Sequence, residues 1–433
     1  MENVEKNGAS REIRKGYKQT EVGVIPSDWE VKKLGDFAEL TSSKRIFESE
    51  YVSTGIPFYR GKEISLLINN AQLEDEYFIS ESKYEEIKRQ FGAPKKGEIL
   101  ITAVGTLGNV YVIPNENKFY FKDGNLIWLK NIRNIIPEYL AIQIGNRKTE
   151  IINNSIGSSQ KALTIIVLKD TLIPLPPNKA EQTAIAEALS DADALISRLE
   201  ELIAKKRNIK QGAMQELLTG KKRLPGFSGE WEVRKLGEIA DVTKLAGFEY
   251  SNYFNSYNDG GDIIVIRGTN ITHNKLDLSD IKTIPRETAN KLPRSRLKIN
   301  DLVFAYVGTI GPVYLIEEND KYHLGPNTSK ITVSNQIIPE FVFYYFTSWL
   351  IKSEITEHTS IGAQPSLSMS KIRRFRIIIP PTKAEQNAIA QILSDMDAEI
   401  EQLEQKLDKY RMIKQGMMQE LLTGKIRLNC DFE

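Results

Sequence analysis

Cysteine is almost absent: of 433 residues only Cys430 is one, so an intrachain disulfide framework is excluded and a reducing compartment is expected. Histidine is nearly as scarce. His273, His323 and His358 are scattered with no second thiol beside them, so no metal site is expected. Charge of one sign is also missing. With 58 Lys and Arg against 57 Asp and Glu the net charge is +1, so bulk charge does not point to nucleic acid and any basic surface must be local. Long apolar runs are lacking too. The most apolar stretch, Ile337 to Ile351, carries Pro339 and Glu340 and is too short to span a bilayer. The opening MENVEKNGASREIRKGYK holds no apolar core of a signal peptide, so no secretory signal is expected and a cytoplasmic location is.

Catalytic strings are missing as well. There is no HExxH, GxSxG or Walker string, and no glycine-rich cofactor loop after a strand. The only Pro-Pro pairs, Pro176-Pro177 and Pro380-Pro381, precede helix starts rather than an aromatic residue. A non-enzyme is expected, with no cofactor in this chain.

What the chain does have is one plan written twice. Residues 175–224 and 379–428 align without a gap and about two thirds of their positions are identical, far beyond chance. Upstream of each copy lies a more divergent segment of about 150 residues with the same landmarks in the same order. WEVKKLGDFA from Trp29 answers WEVRKLGEIA from Trp231, and FYRGKEI from Phe58 answers VIRGTNI from Val265. VGTLGNVYVI from Val104 answers VGTIGPVYLI from Val307, and IIPEYL from Ile135 answers IIPEFV from Ile337. The halves share a frame and differ in the filling. Six segments are therefore expected: a flexible tail over 1–16, a first variable domain over 17–177, a helix over 178–224, a second variable domain over 225–381, a second helix over 382–428, and a tail over 429–433. The repeat also places the segment 424–428 near the residues before Trp29, as 220–224 runs into the second Trp block. A pseudo-twofold arrangement is expected.

Each helix opens on a cap candidate, Asn178 or Thr382, with Glu181 or Glu385 three residues on, which is capping-box spacing. Gly220 and Gly424 suit a left-handed C-terminal cap. Apolar residues between them alternate at spacings of four and three: Ile185, Leu189, Ala192, Ile196, Leu199 and Ile203, then Ile389, Leu393, Met396, Ile400, Leu403 and Leu407. That is a coiled-coil seam, and two such helices in one chain predict an antiparallel pair; packing of each on its own domain is the alternative. The KAEQ and IKQG…MQELLTGK blocks are nearly unchanged between copies, which two equal partners would require. Glu181, Gln182, Lys210, Gln211, Gly212 and Gln215 are the partner-binding candidates on one helix, and Glu385, Gln386, Lys414, Gln415, Gly416 and Gln419 on the other. Glycine inside a helix costs about 1 kcal/mol relative to alanine, so Gly212 and Gly416 suggest either close approach of another backbone or a local kink.

In the variable domains, short β-branched and aromatic runs alternate with turn residues: Ile99 to Val104, Val110 to Ile113, Leu126 to Leu129, Asp262 to Ile266, Leu302 to Val307 and Val313 to Ile316. Ile136 to Gly145 and Glu340 to Ile351 read as helical. The fold class expected is α+β, two mixed domains separated by two long antiparallel coiled-coil helices. The GTLG turn at Gly105–Gly108 and the GTIG turn at Gly308–Gly311 offer backbone N–H groups, with Thr106 and Thr309, to a phosphate or simply hold their domains together. Arg60 and Arg267 precede glycine in both halves and suit phosphate, guanine or a structural carboxylate equally.

The GYKQTEVGVIPSDWEVKKLGD opening, the PPxKAEQxAIAxxLSDxD helix start and the IKQGxMQELLTGKxRL end, the last two in duplicate, resemble the specificity subunits of type I restriction-modification systems from Gly16 to Leu428. That resemblance implies two target-recognition domains, each reading one half of a bipartite site in double-stranded DNA, spaced by the paired helices. It also implies two methyltransferase subunits docked on those helices and motor-nuclease subunits joining for cleavage, with S-adenosylmethionine, ATP and magnesium on those partners. Base readers belong in divergent loops. The DNA-binding candidates are then Lys44, Arg45, Arg60, Lys62, Lys95, Lys96 and Thr106 in the first domain. In the second they are Lys244, Arg267, Asn270, Lys275, Arg294, Arg296, Lys298 and Thr309. A duplicated coiled-coil adaptor that scaffolds two identical proteins, and a nuclease with dispersed acidic residues, are the rival readings.

Overall fold

The computed structural model describes residues 13–69, 71–73, 76–154, 162–253, 260–359 and 365–428. Residues 1–12 of the expected tail over 1–16, and the expected tail over 429–433 with Cys430, lie outside the described residues. The chain divides into two units, Met1–Arg198 with Leu407–Glu433, and Leu199–Lys406. Each is mixed α and β.

In the first unit an antiparallel sheet runs in the order Glu39–Thr41, Leu126–Lys130, Ile99–Thr102, Val110–Val112. In the second the order is Ala240–Lys244, Thr328–Val333, Leu302–Ala305, Val313–Leu315. Of the central strands, Ile99–Thr102, Leu126–Lys130 and Leu302–Ala305 are buried on both faces, which is why they read as continuous apolar runs, whereas Thr328–Val333 is more polar and partly exposed. Beside each sheet lies a smaller one built on a parallel pair: Tyr120–Phe121 with Ile56–Tyr59, and Tyr322–Leu324 with Ile263–Ile266. The helix expected over 136–145 is Pro137–Asn146, with proline in its first turn. The one expected over 340–351 is two helices, Pro339–Thr347 and Trp349–His358, because extended Ser348 interrupts the run and its hydroxyl caps the second at Leu350 N.

The two long helices are Lys179–Leu217 and Lys383–Leu421, 39 residues each. Asn178 Oδ1 accepts from Ala180 N at 2.8 Å and Thr382 Oγ1 from Glu385 N at 3.2 Å, so both caps form. The capping-box glutamates do not turn back to those caps. Their carboxylates are taken by arginines far along the chain, Glu181 by Arg427 and Glu385 by Arg223. Of the twelve seam positions Ile185, Leu189, Leu199, Ile203, Ile389, Leu393, Ile400 and Leu407 are buried.

Within each unit the helices run antiparallel. In the second, Lys206, Lys210 and Arg223 pair with Glu399, Asp397 and Glu385, descending as the first set ascends. In the first, Glu181 and Asp193 pair with Arg427 and Lys414 in the same sense. The more exposed of these pairs, at Lys206, Lys210 and Lys414, contribute about 0–1 kcal/mol each and mainly set the register, while those of Glu181 and Glu385 are buried on the carboxylate side. Each core continues onto these helices: Ile185, Leu189, Leu421 and Leu422 join the first, and Leu217, Leu218, Ile389 and Leu393 the second.

Gly220 and Gly424 hold φ of +69° and +68° at the two helix ends, as their place after the apolar pattern predicts. A Cβ on Gly220 would stand 3.1 Å from the Trp231 ring, and one on Gly424 would stand 2.5 Å from Pro26 Cγ and 3.1 Å from Trp29. The segment 424–428 therefore does sit on the residues around Trp29, where Tyr17 Oη also donates to Gly424 O at 3.1 Å. Gly424→Ala should destabilise by roughly 3 kcal/mol, the left-handed penalty plus overpacking, and Gly220→Ala by less. Urea unfolding of the two variants checks the order. At Gly212 and Gly416 a Cβ would meet nothing within 4 Å from this chain, and both helices run through them unbroken.

Candidate nucleic-acid interface

The two landmarks that recur in both variable domains, the Arg-Gly step and the VGTxG turn, are distant in sequence and adjacent in space. In the first unit the parallel pair places Arg60 and Gly61 against the strand leading into the turn, and a Cβ on Gly61 would lie 4.0 Å from both Thr102 Cγ2 and Val104 O. Lys122 N donates to Tyr59 O at 2.9 Å and Ala103 N to Asn125 O at 2.8 Å, tying a third loop to both. The second unit repeats the construction. Gly325 N donates to Ile266 O at 2.9 Å, Tyr306 N to Asn327 O at 3.1 Å, and a Cβ on Gly268 would lie 3.7 Å from Ala305.

A cavity of about 550 Å³ opens there in the first unit, lined by Arg60, Lys62, Ser65, Asn69, Thr106 and Asn125 among others. A second, of about 590 Å³, shares Arg60 and Asn125 and adds Arg45, Tyr51, Tyr77 and Lys122. Three of the predicted residues, Arg60, Lys62 and Thr106, thus share one cavity, and Arg45 lines the next. Asn125, Lys122 and Tyr77 were missed by sequence reasoning. The only signal for Asn125 was the Asn that answers it at 327.

The two shared arginines are held inside their domains. Arg60 grips Glu63 through Nη2 at 2.6 Å and Nε at 3.1 Å and lies 4.3 Å over the Tyr77 ring. Burial acts to raise the Glu63 carboxyl, but hydrogen bonds from Arg60 outweigh it and hold it below the ordinary range. Arg267 binds Asn270 Oδ1 at 3.0 Å and Asp280 Oδ2 at 3.0 Å. Asn270 is itself 4% exposed and donates to the carbonyls of Asp277 and Asp280. Of the readings left open for these residues, the geometry matches the structural anchor.

Others are partly engaged. Arg45 pairs with Asp123 at 2.8 Å, Arg296 with Asp320 at 2.6 Å and Lys275 with Glu401 at 3.5 Å, while Lys44 lies 4.8 Å over Phe91 and Lys244 5.9 Å over Tyr306. The side chains of Lys62, Lys95, Lys96, Arg294, Lys298, Thr106 and Thr309 are exposed and without a partner among the described residues. Arg294 and Lys298 lie near Lys330, whose ammonium is pushed down chiefly by burial; the carboxylates of Asp301 and Asp241 oppose that shift, and the two cations add to it.

On the long helices the KAEQ block has an internal explanation. Gln182 Oε1 accepts from Ile136 N and its amide donates to Pro176 O, both at 2.9 Å, and Gln386 repeats this with Ile338 and Pro380. With Glu181 and Glu385 also buried against arginine, these four residues are removed from the partner-binding surface. Lys210 and Lys414 pair with Asp397 and Asp193. Gln211, Gly212, Gln215, Gln415 and Gln419 stay exposed and Gly416 half-buried, beside Ile209 and Ile413, equivalent apolar residues that are 47% and 42% exposed.

Glu354, Glu357 and His358 form the one cluster of metal-ligand type among the described residues. Arg376 bridges its carboxylates at 2.8 and 2.5 Å, so it is built as an ion-pair knot. Among the described residues no helix is long and apolar enough to cross a membrane.

The family model described as type I restriction modification DNA specificity domain matches residues 26–211 and again 228–409. The chain belongs to that family. Among its relatives within it, the MjaVIII type I restriction enzyme specificity subunit of Methanocaldococcus jannaschii is 24% identical, with 94% of this chain and 95% of that one aligned. The EcoBI specificity subunit of Escherichia coli is 22% identical over 63% of this chain and 61% of its own. The crystal structure of a type I S subunit from M. genitalium superposes with a TM-score of 0.58 at 16% identity, covering 91% of this chain and 96% of that one, and shows the same fold.

Proposed function

We propose that this specificity-family chain selects the bipartite DNA sequence on which a type I restriction-modification enzyme acts, each variable domain reading one half-site. One observation carries the reading: the same three-loop construction occurs in both units with different side chains around it, as two readers of different sequence require. The chain acts without catalysis of its own, in the cytoplasm. S-adenosylmethionine, ATP and magnesium belong to the partner subunits. Two copies of a methyltransferase subunit dock on the equivalent surfaces around Ile209 and Ile413, and motor-nuclease subunits join them.

Genome-wide mapping of methylated adenines in cells with and without this gene tests the function. The expected result is a bipartite motif that vanishes on deletion and returns on complementation; an unchanged methylation pattern refutes it. The adaptor reading, in which the variable domains bind protein rather than DNA, predicts instead that the purified complex shows no duplex binding of the steeply salt-dependent kind that phosphate contacts impose.

A further inference from the structure

We propose that Thr106 and Asn125 in the first domain, and Thr309 and Asn327 in the second, form duplicated seats for the DNA backbone. On the same proposal Lys62 and Lys122, which line the adjoining cavities, read bases of the first half-site. This rests on the functional reading above and divides its DNA contacts by role. DNA backbone is the same at both half-sites whatever their sequence, while base edges differ. Side chains kept in both domains therefore belong with the phosphates and sugars, and those that differ belong with the bases, unless folding alone explains why they were kept.

Folding explains Arg60 and Arg267, which anchor Glu63 and Asn270. It does not explain the threonines. Both are exposed, and neither hydroxyl has a partner among the described residues. Nor does it fully explain the asparagines. Asn327 holds φ of +64°, which favours asparagine, but in the first domain Gly124 takes the left-handed position with φ of +72°. Asn125 makes its structural contact through its carbonyl, which any residue supplies; it lines both cavities, and its side-chain amide has no hydrogen-bond partner among the described residues.

Around these kept residues the chemistry diverges. Lys62, exposed at the rim of the first cavity, is answered by Thr269, and Lys122, in the wall of the second, by Gly325. Neither ammonium has an internal partner among the described residues. A lysine free to reach guanine O6 and N7 in one domain, with no counterpart in the other, is a specificity-determining group.

The test places two double variants at the native locus, Thr106→Val/Thr309→Val and Lys62→Ala/Lys122→Ala, and reads each by adenine-methylation mapping and by duplex binding of the purified complex. The threonine pair should weaken binding about fivefold per hydroxyl on any duplex, with the methylated motif unchanged. The lysine pair should relax or change bases in one half of the motif and leave the other half intact. A changed motif or unchanged affinity in the threonine pair overturns the proposal, as does an unchanged motif in the lysine pair. If the unaltered complex methylates no defined motif, the functional reading itself falls, and that control is read before either variant.

Discussion

Adding one heptad to each long helix, after Leu199 and after Leu403, should lengthen the unread gap of the methylated motif by about three base pairs, since seven residues add roughly 10 Å of helix and a base pair about 3.4 Å. Seven residues are chosen because the seam repeats at four and three. Such an insertion returns the following residues Ile203 and Leu407, both buried, to the same face. Both helices must be extended together, because Lys206 and Lys210 on one, and Arg223 just beyond its end, are in register with Glu399, Asp397 and Glu385 on the other. Extending only one shifts these pairs past each other and should abolish methylation. Sequencing of methylated adenines reads both results. An unchanged gap at full activity in the doubly extended chain would refute the role of the helices as spacers.

The success of the repeat as a guide to this architecture, and its failure over the site, have the same origin. A seam position such as Leu189 or Leu393 is decided by helical periodicity, which a window of a dozen residues displays. The left-handed glycines at 220 and 424 are likewise local. The partners of Glu181 and Glu385 are not. A capping box needs three residues of sequence, whereas the arginine that takes Glu181 lies 246 residues away, and only the fold brings it there. The same distance hid Asn125 and Lys122, which sit beside Arg60 through a parallel strand pair that has no short-range signature. For Arg60 and Arg267 the signal was at hand: in RGKE and RGTN the third residue after arginine carries the acceptor, as the hydrogen bonds to Glu63 and Asn270 show. From sequence alone the near-identity of the two KAEQ blocks points to outside partners, because burial cannot be read from identity. In the fold, Gln182 and Gln386 are 1% and 2% exposed and bind backbone, so packing alone preserves them.

The largest loss of stability from a single polar side chain is expected at the arginine clamp, in Arg223→Ala. Glu385, 1% exposed, receives both arms of Arg223 at 2.6 and 2.8 Å, and the third nitrogen holds Gly229 O at 2.6 Å. Removing the guanidinium leaves a carboxylate buried without its counter-ion, a change that costs about 3 kcal/mol or more. The guanidinium also lies 5.8 Å from the Trp231 ring centroid, so the helix end loses part of its cover. Replacing both partners with apolar residues, Arg223→Met/Glu385→Leu, removes the stranded charge and should recover stability to within about 1 kcal/mol of the parent. The equivalent clamp, in which Arg427 holds Glu181 and reaches Asp28 at 3.0 Å, is untouched by these changes and serves as the internal reference. Hydrogen exchange across residues 220–235 should therefore rise in Arg223→Ala, return in the double variant, and stay level across 424–428 in both. Equal stability in the single and double variants would mean that the clamp acts through packing of the arginine stem on Trp231 rather than through its charge.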